Sequence, residues 1–225
     1  MKPRFVGHFG LADYVTVSNA ALGFLAAVAA LVDTTLAARL ILLGAVADGL
    51  DGVLARQFGG SDAGPYLDSL ADVASFCVAP ALLVVSVVLE TWGFDPVRSW
   101  AGAGLCALFV AMGVTRLGLY TAYDSKSDST EGVPTTLAAT ILSAGVLAGF
   151  ADPLVLVPLV AILALMMVTT INYPDLHWQD ALVMGVVQAL AILLSGYPGE
   201  VFAFGLLFLA LGYLFLGPRF YWRGT

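Results

Sequence analysis

The chain has 225 residues, a formal charge of −7 and a mean hydropathy of +0.94. Apolar residues make up 60% of it and charged residues 11%, which excludes an ordinary soluble globular domain. Lysine occurs only at Lys2 and Lys126, so no basic nucleic-acid-binding surface is expected.

Eight apolar stretches follow one another at about 15–32, 36–56, 66–90, 98–121, 134–150, 153–171, 180–196 and 200–217. Each is long enough to cross the ~30 Å hydrocarbon layer as a helix. Strict alternation of apolar and polar residues is absent, which argues against a membrane barrel. The expected fold is all-α: one polytopic membrane helical bundle of about eight transmembrane helices, a single domain over 1–225. The first run, from Val15, lacks a following small-residue cleavage site and is expected to be a retained helix. Gly and Pro punctuate the connections, as at Gly59-Gly60, Gly132 to Pro134 and Tyr197-Pro198-Gly199. The division between the fifth and sixth stretches rests on Phe150 to Pro153 alone. Cys77 and Cys106 fall within apolar stretches and read as packing thiols, not as a disulfide.

Loop charge sets an expected orientation. With the N-terminus in the cytoplasm, Lys2, Arg4, Arg56, Arg116, Lys126, Arg219 and Arg223 fall at cytoplasmic ends, and only Arg39 and Arg98 fall opposite. That asymmetry follows the positive-inside bias and returns the C-terminus to the cytoplasm of a multi-pass cell-membrane protein.

Thirteen of the sixteen acids are Asp, and four stand close together. Asp48 and Asp51 are three residues apart near the end of the second stretch. Asp68 and Asp72 are four apart near the start of the third. Each spacing puts both carboxylates on one helical face. A short connection makes the helices antiparallel neighbours, so the four acids are expected to converge at one depth, on the cytoplasmic side. Bare carboxylates repel one another in a low-dielectric pocket, and each is expensive to desolvate. Divalent cations resolve that conflict, and oxygen-only ligands suit Mg²⁺ or Mn²⁺. Two such ions can clamp a phosphoryl group undergoing displacement. Gly52 and Gly64 allow close backbone approach, Gly49 and Ala55 suit tight helix packing, and Arg56 is one turn beyond Asp51, within reach of a pyrophosphate oxygen. Taken singly, a membrane Asp can be a packed polar residue or part of an ion path, and small residues more often serve packing.

The whole pattern, Asp48-x2-Asp51-Gly52-x2-Ala55-Arg56 followed by Gly64-x3-Asp68-x3-Asp72, resembles the signature of the CDP-alcohol phosphotransferases. Every fixed position of that signature is present. Seven residues separate Arg56 from Gly64, where the family usually has eight or nine; the difference falls at Ser61 and Asp62. The resemblance implies that Asp48, Asp51, Asp68 and Asp72 ligate two divalent metals and that Asp72 is also the base for the acceptor hydroxyl. It further implies that Gly52, Arg56 and Ser61 contact the CDP moiety, and that the protein has six core helices plus two C-terminal ones and is a homodimer.

A weaker likeness concerns the acceptor. Thr16-Val-Ser-Asn19 resembles the first helix of the serine branch, which places Thr16 and Asn19 among the CDP-lipid contacts. Leu67 to Val73 and Gly132-Val-Pro-Thr-Thr136 resemble that branch too, although Leu119 stands where a second arginine is common. The Asp-rich, Lys-poor balance is most similar to haloarchaeal members that make archaetidylserine, with CDP-archaeol as the lipid; CDP-diacylglycerol is the other donor. On this reading L-serine is the acceptor and its carboxylate needs a cation, with Arg116 or Lys126 as candidates. Arg116 can equally snorkel to the interface, and Lys126 belongs to a polar loop, Tyr123 to Glu131, able to cover the acceptor. Asn172, His177 and Asp180 read as a solvated connection. Rival readings keep the same chemistry with glycerol phosphate or inositol phosphate, or make the acids the ion site of a cation transporter.

Overall fold

The computed structural model describes residues 8–124, 129–174 and 176–221. Lys126 therefore lies outside the described residues. The described residues form eight helices: α1 (Leu11–Ala30), α2 (Thr34–Phe58), α3 (Gly64–Trp92), α4 (Arg98–Leu119), α5 (Thr135–Leu147), α6 (Pro153–Met167), α7 (Trp178–Leu193) and α8 (Tyr197–Phe220). It is an all-α, multi-pass membrane protein, as the sequence predicts. By length and hydropathy, α1, α3, α8 and α4 with its continuation to Tyr123 suffice to cross a bilayer. Helix α2 is long but carries Arg39, Asp48, Asp51 and Arg56. Helices α5, α6 and α7 are apolar but have only 13, 15 and 16 residues, so they are shorter than the expected spans. The fifth and sixth stretches do separate, at the turn through Gly149.

Local chemistry sets the boundaries. Asp33 accepts the Leu36 N–H at the start of α2, and Asp152 accepts the Leu154 N–H at the start of α6. Asp95 accepts the N–H groups of Val97 and Arg98 ahead of α4; those two bonds hold its carboxyl below the usual carboxylate range. Pro65 and Pro153 open α3 and α6, where a missing N–H costs nothing.

Helix α3 widens into a π-turn over Val73–Val78, where the Ala79 N–H bonds the Ala74 carbonyl five residues back. Pro80 follows directly. Its ring cannot sit against a normal i−4 carbonyl and it donates no N–H, so a wider turn is the local solution. The π-turn packs on α1: a Cβ on Gly23 would lie 2.6 Å from Ser75 Oγ and 2.7 Å from its backbone. Ser75 donates from the same place to the Asn19 carbonyl at 2.8 Å. A parallel close approach joins α3 to α4, where a Cβ on Gly113 would meet Cys77 Sγ at 2.5 Å. Cys77 and Cys106 are buried, unpaired packing residues, as expected.

One apolar core runs from Ala26 of α1 to Leu214 of α8. The last two helices pack on each other and on α2 and α5. Gln188 of α7 donates to the Leu42 carbonyl of α2 at 2.6 Å, and Arg39 of α2 donates to the Leu194 carbonyl at 2.8 Å. A small antiparallel ribbon, β1 (Ser129–Glu131) with β2 (Asn172–Pro174), lies between the fourth and seventh helices in sequence and pairs Thr130 with Tyr173. It was not predicted, because three residues show no periodicity.

The α1–α3 seam makes a sharp prediction. Gly23→Ala forces a Cβ into the Ser75 backbone and should cost about 1–3 kcal/mol, read as a lower melting temperature of purified protein. Gly104→Ala, which meets nothing within 4 Å, should leave it unchanged.

Candidate active site

The acids meet at one end of the bundle. Carboxylate oxygens of Asp48, Asp68 and Asp72 all lie within 4.8 Å of one another. Asp48 comes from the second half of α2, and Asp68 and Asp72 come from the first turns of α3, one turn apart on one face. The α1–α3 seam at Ser75 fixes the depth at which α3 presents them. Asp72 is 7% exposed, and its Oδ1 has no hydrogen-bond partner. A buried carboxylate oxygen left so among two other carboxylates fits a cation better than any group the chain itself supplies.

The expected convergence of all four acids is met by three. Asp51 lies outside that group of three: it is 6% exposed and accepts a 2.6 Å hydrogen bond from Thr16 of α1. It faces a cavity of about 450 Å³ whose wall includes Gly52, Ala55, Arg56, Ser61, Gly64 and Asp68. Six of the eight signature positions therefore line one space, all but Asp48 and Asp72. Ser61 Oγ is buried there without a hydrogen-bond partner, and Arg56 is exposed at the rim.

A second cavity, of about 220 Å³, adjoins it. Asp48, Asp68, Asp72, Arg116, Thr130 and Thr135 contribute to its wall. Asp68 and Tyr120 belong to both cavities, so the acids form the partition between them. Arg116 is 7% exposed, which removes the snorkelling alternative for it. Its guanidinium donates to Thr130 Oγ1 at 3.0 Å and lies 5.5 Å from the centre of the Tyr120 ring. The close approach of α4 to α3 at Gly113 brings Arg116, three residues on, to the depth of Asp72. Thr136 of α5 reaches toward Asp48 at 3.4 Å, and Thr135 Oγ1 is buried without a partner.

Asn19 is placed elsewhere. It is 1% exposed and wedged against Gly44, where a Cβ would lie 2.8 Å from its Oδ1, so it stands between helices rather than on a cavity wall. Of the solvated connection, Asn172 lies in β2, and Asp180 accepts a hydrogen bond from the Tyr221 hydroxyl. Asp13 was missed: it is 2% exposed, lines the larger cavity and accepts the Gly10 N–H at 2.6 Å. A lone acid in a first helical turn reads as a cap; only the fold brings it beside Gly64. Thr121 and Thr130 carried no sequence signal either.

Residues 9–211 match the family model described as CDP-alcohol phosphatidyltransferase. An archaetidylserine synthase of Methanothermobacter thermautotrophicus is 30% identical over 182 residues, 79% of this chain and 75% of that protein. A CDP-diacylglycerol–serine O-phosphatidyltransferase of Bacillus subtilis is 33% identical over 163 residues, 71% of this chain and 87% of its own length. The Saccharomyces cerevisiae enzyme of the same name is 35% identical over 148 residues, covering 57% of this chain and 51% of that one.

Shared placement of Asp68 gives a ranking for cation binding. Asp68→Asn should weaken Mn²⁺ binding by more than about tenfold, read as free-ion signal in electron paramagnetic resonance. Thr16→Val removes a hydrogen bond to Asp51 and leaves every carboxylate in place, and should weaken it less.

Proposed function

The chain belongs to the CDP-alcohol phosphatidyltransferase family, and from that premise we propose that it moves the phosphoryl-linked lipid of a CDP-activated lipid onto L-serine, releasing CMP. The observation that carries this reading is the partition formed by Asp68. On one side lie the signature residues Gly52, Arg56 and Ser61, and on the other lies a small polar cavity built around a buried arginine. A nucleotide-bearing donor and a small anionic acceptor can meet there across one row of carboxylates. Serine is the acceptor named in the relatives, and its carboxylate is the natural partner for Arg116.

Asp48, Asp68 and Asp72, with Asp51 on the adjoining wall, would hold two divalent cations, Mg²⁺ or Mn²⁺. Bound cations neutralise the carboxylates and stabilise charge on the phosphoryl oxygens. The chain's own groups do the rest. Arg56 at the rim binds pyrophosphate oxygens while Gly52 lets the backbone approach the nucleotide. Thr16 holds the Asp51 carboxylate in place. Arg116 orients serine through its carboxylate, beside the Thr135 hydroxyl. Asp72, at the junction, takes the proton from the serine hydroxyl as its oxygen attacks the lipid-bearing phosphorus. The bond from that phosphorus to the CMP oxygen breaks and CMP leaves. No cysteine or histidine lines either cavity among the described residues, which favours direct displacement over a covalent intermediate.

CDP-archaeol and CDP-diacylglycerol share the recognised pyrophosphate and cytidine, and both serve as donors on this reading. The active site and both termini face the cytoplasm, following the arginine asymmetry, and the protein works as a homodimer, as its resemblance implies. Glycerol phosphate and inositol phosphate are disfavoured because Arg116 is the one cation lining the acceptor cavity among the described residues. The transport alternative gives way to family membership.

Purified protein with Mn²⁺ or Mg²⁺ should release CMP from CDP-archaeol or CDP-diacylglycerol with L-serine and not with glycerol phosphate or inositol phosphate. Arg116→Ala should raise the KM for serine about tenfold or more. Release only with a phosphorylated acceptor would overturn the choice of serine and keep the metal chemistry.

A further inference from the structure

Among the described residues three helices, α6 to α8, follow Thr136, the last residue in sequence on the wall of the carboxylate site, and their contacts lead back to it. Thr130, whose hydroxyl accepts the Arg116 hydrogen bond, stands on β1. A two-stranded ribbon of three residues per strand is not stable alone, so something else must fix its position. Its two sides are held differently. On the near side the Gly132 N–H bonds the Ile171 carbonyl at 2.9 Å, and the Val133 N–H bonds the Met166 carbonyl at 3.1 Å. Gly132 has φ +75°, and a Cβ there would lie 2.1 Å from the Met167 carbonyl oxygen, so only glycine fits this seat.

On the far side the holder is α8. Tyr173, paired with Thr130 across the ribbon, is 1% exposed and donates through its hydroxyl to the Leu214 carbonyl at 3.2 Å. Tyr213 donates to the Pro174 carbonyl at 2.6 Å, and the two tyrosine rings lie 6.0 Å apart, tilted by 47°. The Leu214 carbonyl is available for a reason visible in the sequence. Its usual helical partner would be the N–H four residues on, and that residue is Pro218, which has none. A helix interior proline is costly where the freed carbonyl stays unsatisfied. Here the freed acceptor is the anchor point for Tyr173.

We propose that α8 buttresses the acceptor cavity, with Tyr173 and Tyr213 as positioning residues that hold β1 so that Thr130 sets the Arg116 guanidinium. The inference rests on reading the Arg116 cavity as the acceptor site. It gives the C-terminal helices a part in acceptor affinity and none in donor binding, since neither tyrosine lines the larger cavity.

The test is steady-state kinetics of full-length Tyr173→Phe and Tyr213→Phe, each of which removes one hydroxyl and keeps the ring. The KM for serine should rise about threefold to tenfold, the size of one or two lost hydrogen bonds, with the KM for the CDP-lipid unchanged; Tyr173→Phe, which leaves the buried Leu214 carbonyl without its partner, should also lower the melting temperature. Tyr213→Phe added to Thr130→Ala should raise the serine KM no further than Thr130→Ala alone, because both act through one strand. Unchanged serine KM, a parallel rise in both KM values, or additive effects in the double variant would each overturn the buttress. A wild-type protein that used another acceptor would contradict the choice of serine only, and the same split measured on that acceptor's KM would still decide the role of α8.

Discussion

Carboxylates gathered at one depth of a membrane bundle impose the constraint from which the rest of the architecture follows. Asp48, Asp68 and Asp72 approach within 4.8 Å, in surroundings where like charges are poorly screened. Such a cluster calls for counter-charge, which Arg116 alongside supplies in part and which the proposed cations would complete. The helices that carry it must then be held rigidly, since a small drift would alter both the repulsion and the fit of a cation. The close seams do this, by backbone-to-backbone approach at Gly23–Ser75 and by seating the Cys77 thiol against the backbone at Gly113. Small residues are what membrane helices use when no hydrophobic driving force separates packing from lipid contact.

Two cavities separated by a single row of acids also account for how a lipid-linked nucleotide and a small polar molecule can share one site without competing. Asp68 and Tyr120 face both spaces, whereas Arg56 and Arg116 each face one. On the proposed function, opposite charge is thereby supplied at both ends of the reacting line, one arginine toward the pyrophosphate side and one toward the acceptor. The ribbon joins this arrangement to the periphery, so that a wall of the smaller cavity depends on helices that contribute no acid.

Much of this was legible in the sequence because helical periodicity is a strong code. Intervals of three and four placed Asp48 with Asp51 and Asp68 with Asp72 on helical faces, and the eight apolar stretches became eight helices. The interval code could not say which way Asp51 turns, because the deciding contact, Thr16 Oγ1, comes from a helix 35 residues earlier. Asp13 looked like a cap and is one, yet it also lines the larger cavity. Asn19 lay in a suggestive motif but packs between helices. The π-turn before Pro80 was readable only in hindsight from the proline, and the ribbon was too short for any pattern. The shortness of α5 and α6 leaves no mark in the sequence, because apolar residues continue past the last helical one, into Ala148 and Phe150 after α5 and into Val168 and Ile171 after α6.

In the proposed function Asp72 is the group that takes the acceptor's proton, beside the carboxylates that would hold the metal. Its most direct test is CMP release by purified, folded Asp72→Ala with CDP-lipid, serine and Mn²⁺. Release at background level, with wild-type melting behaviour, is the predicted result. Release at the wild-type rate would contradict the role given to Asp72 and the chemistry built on it.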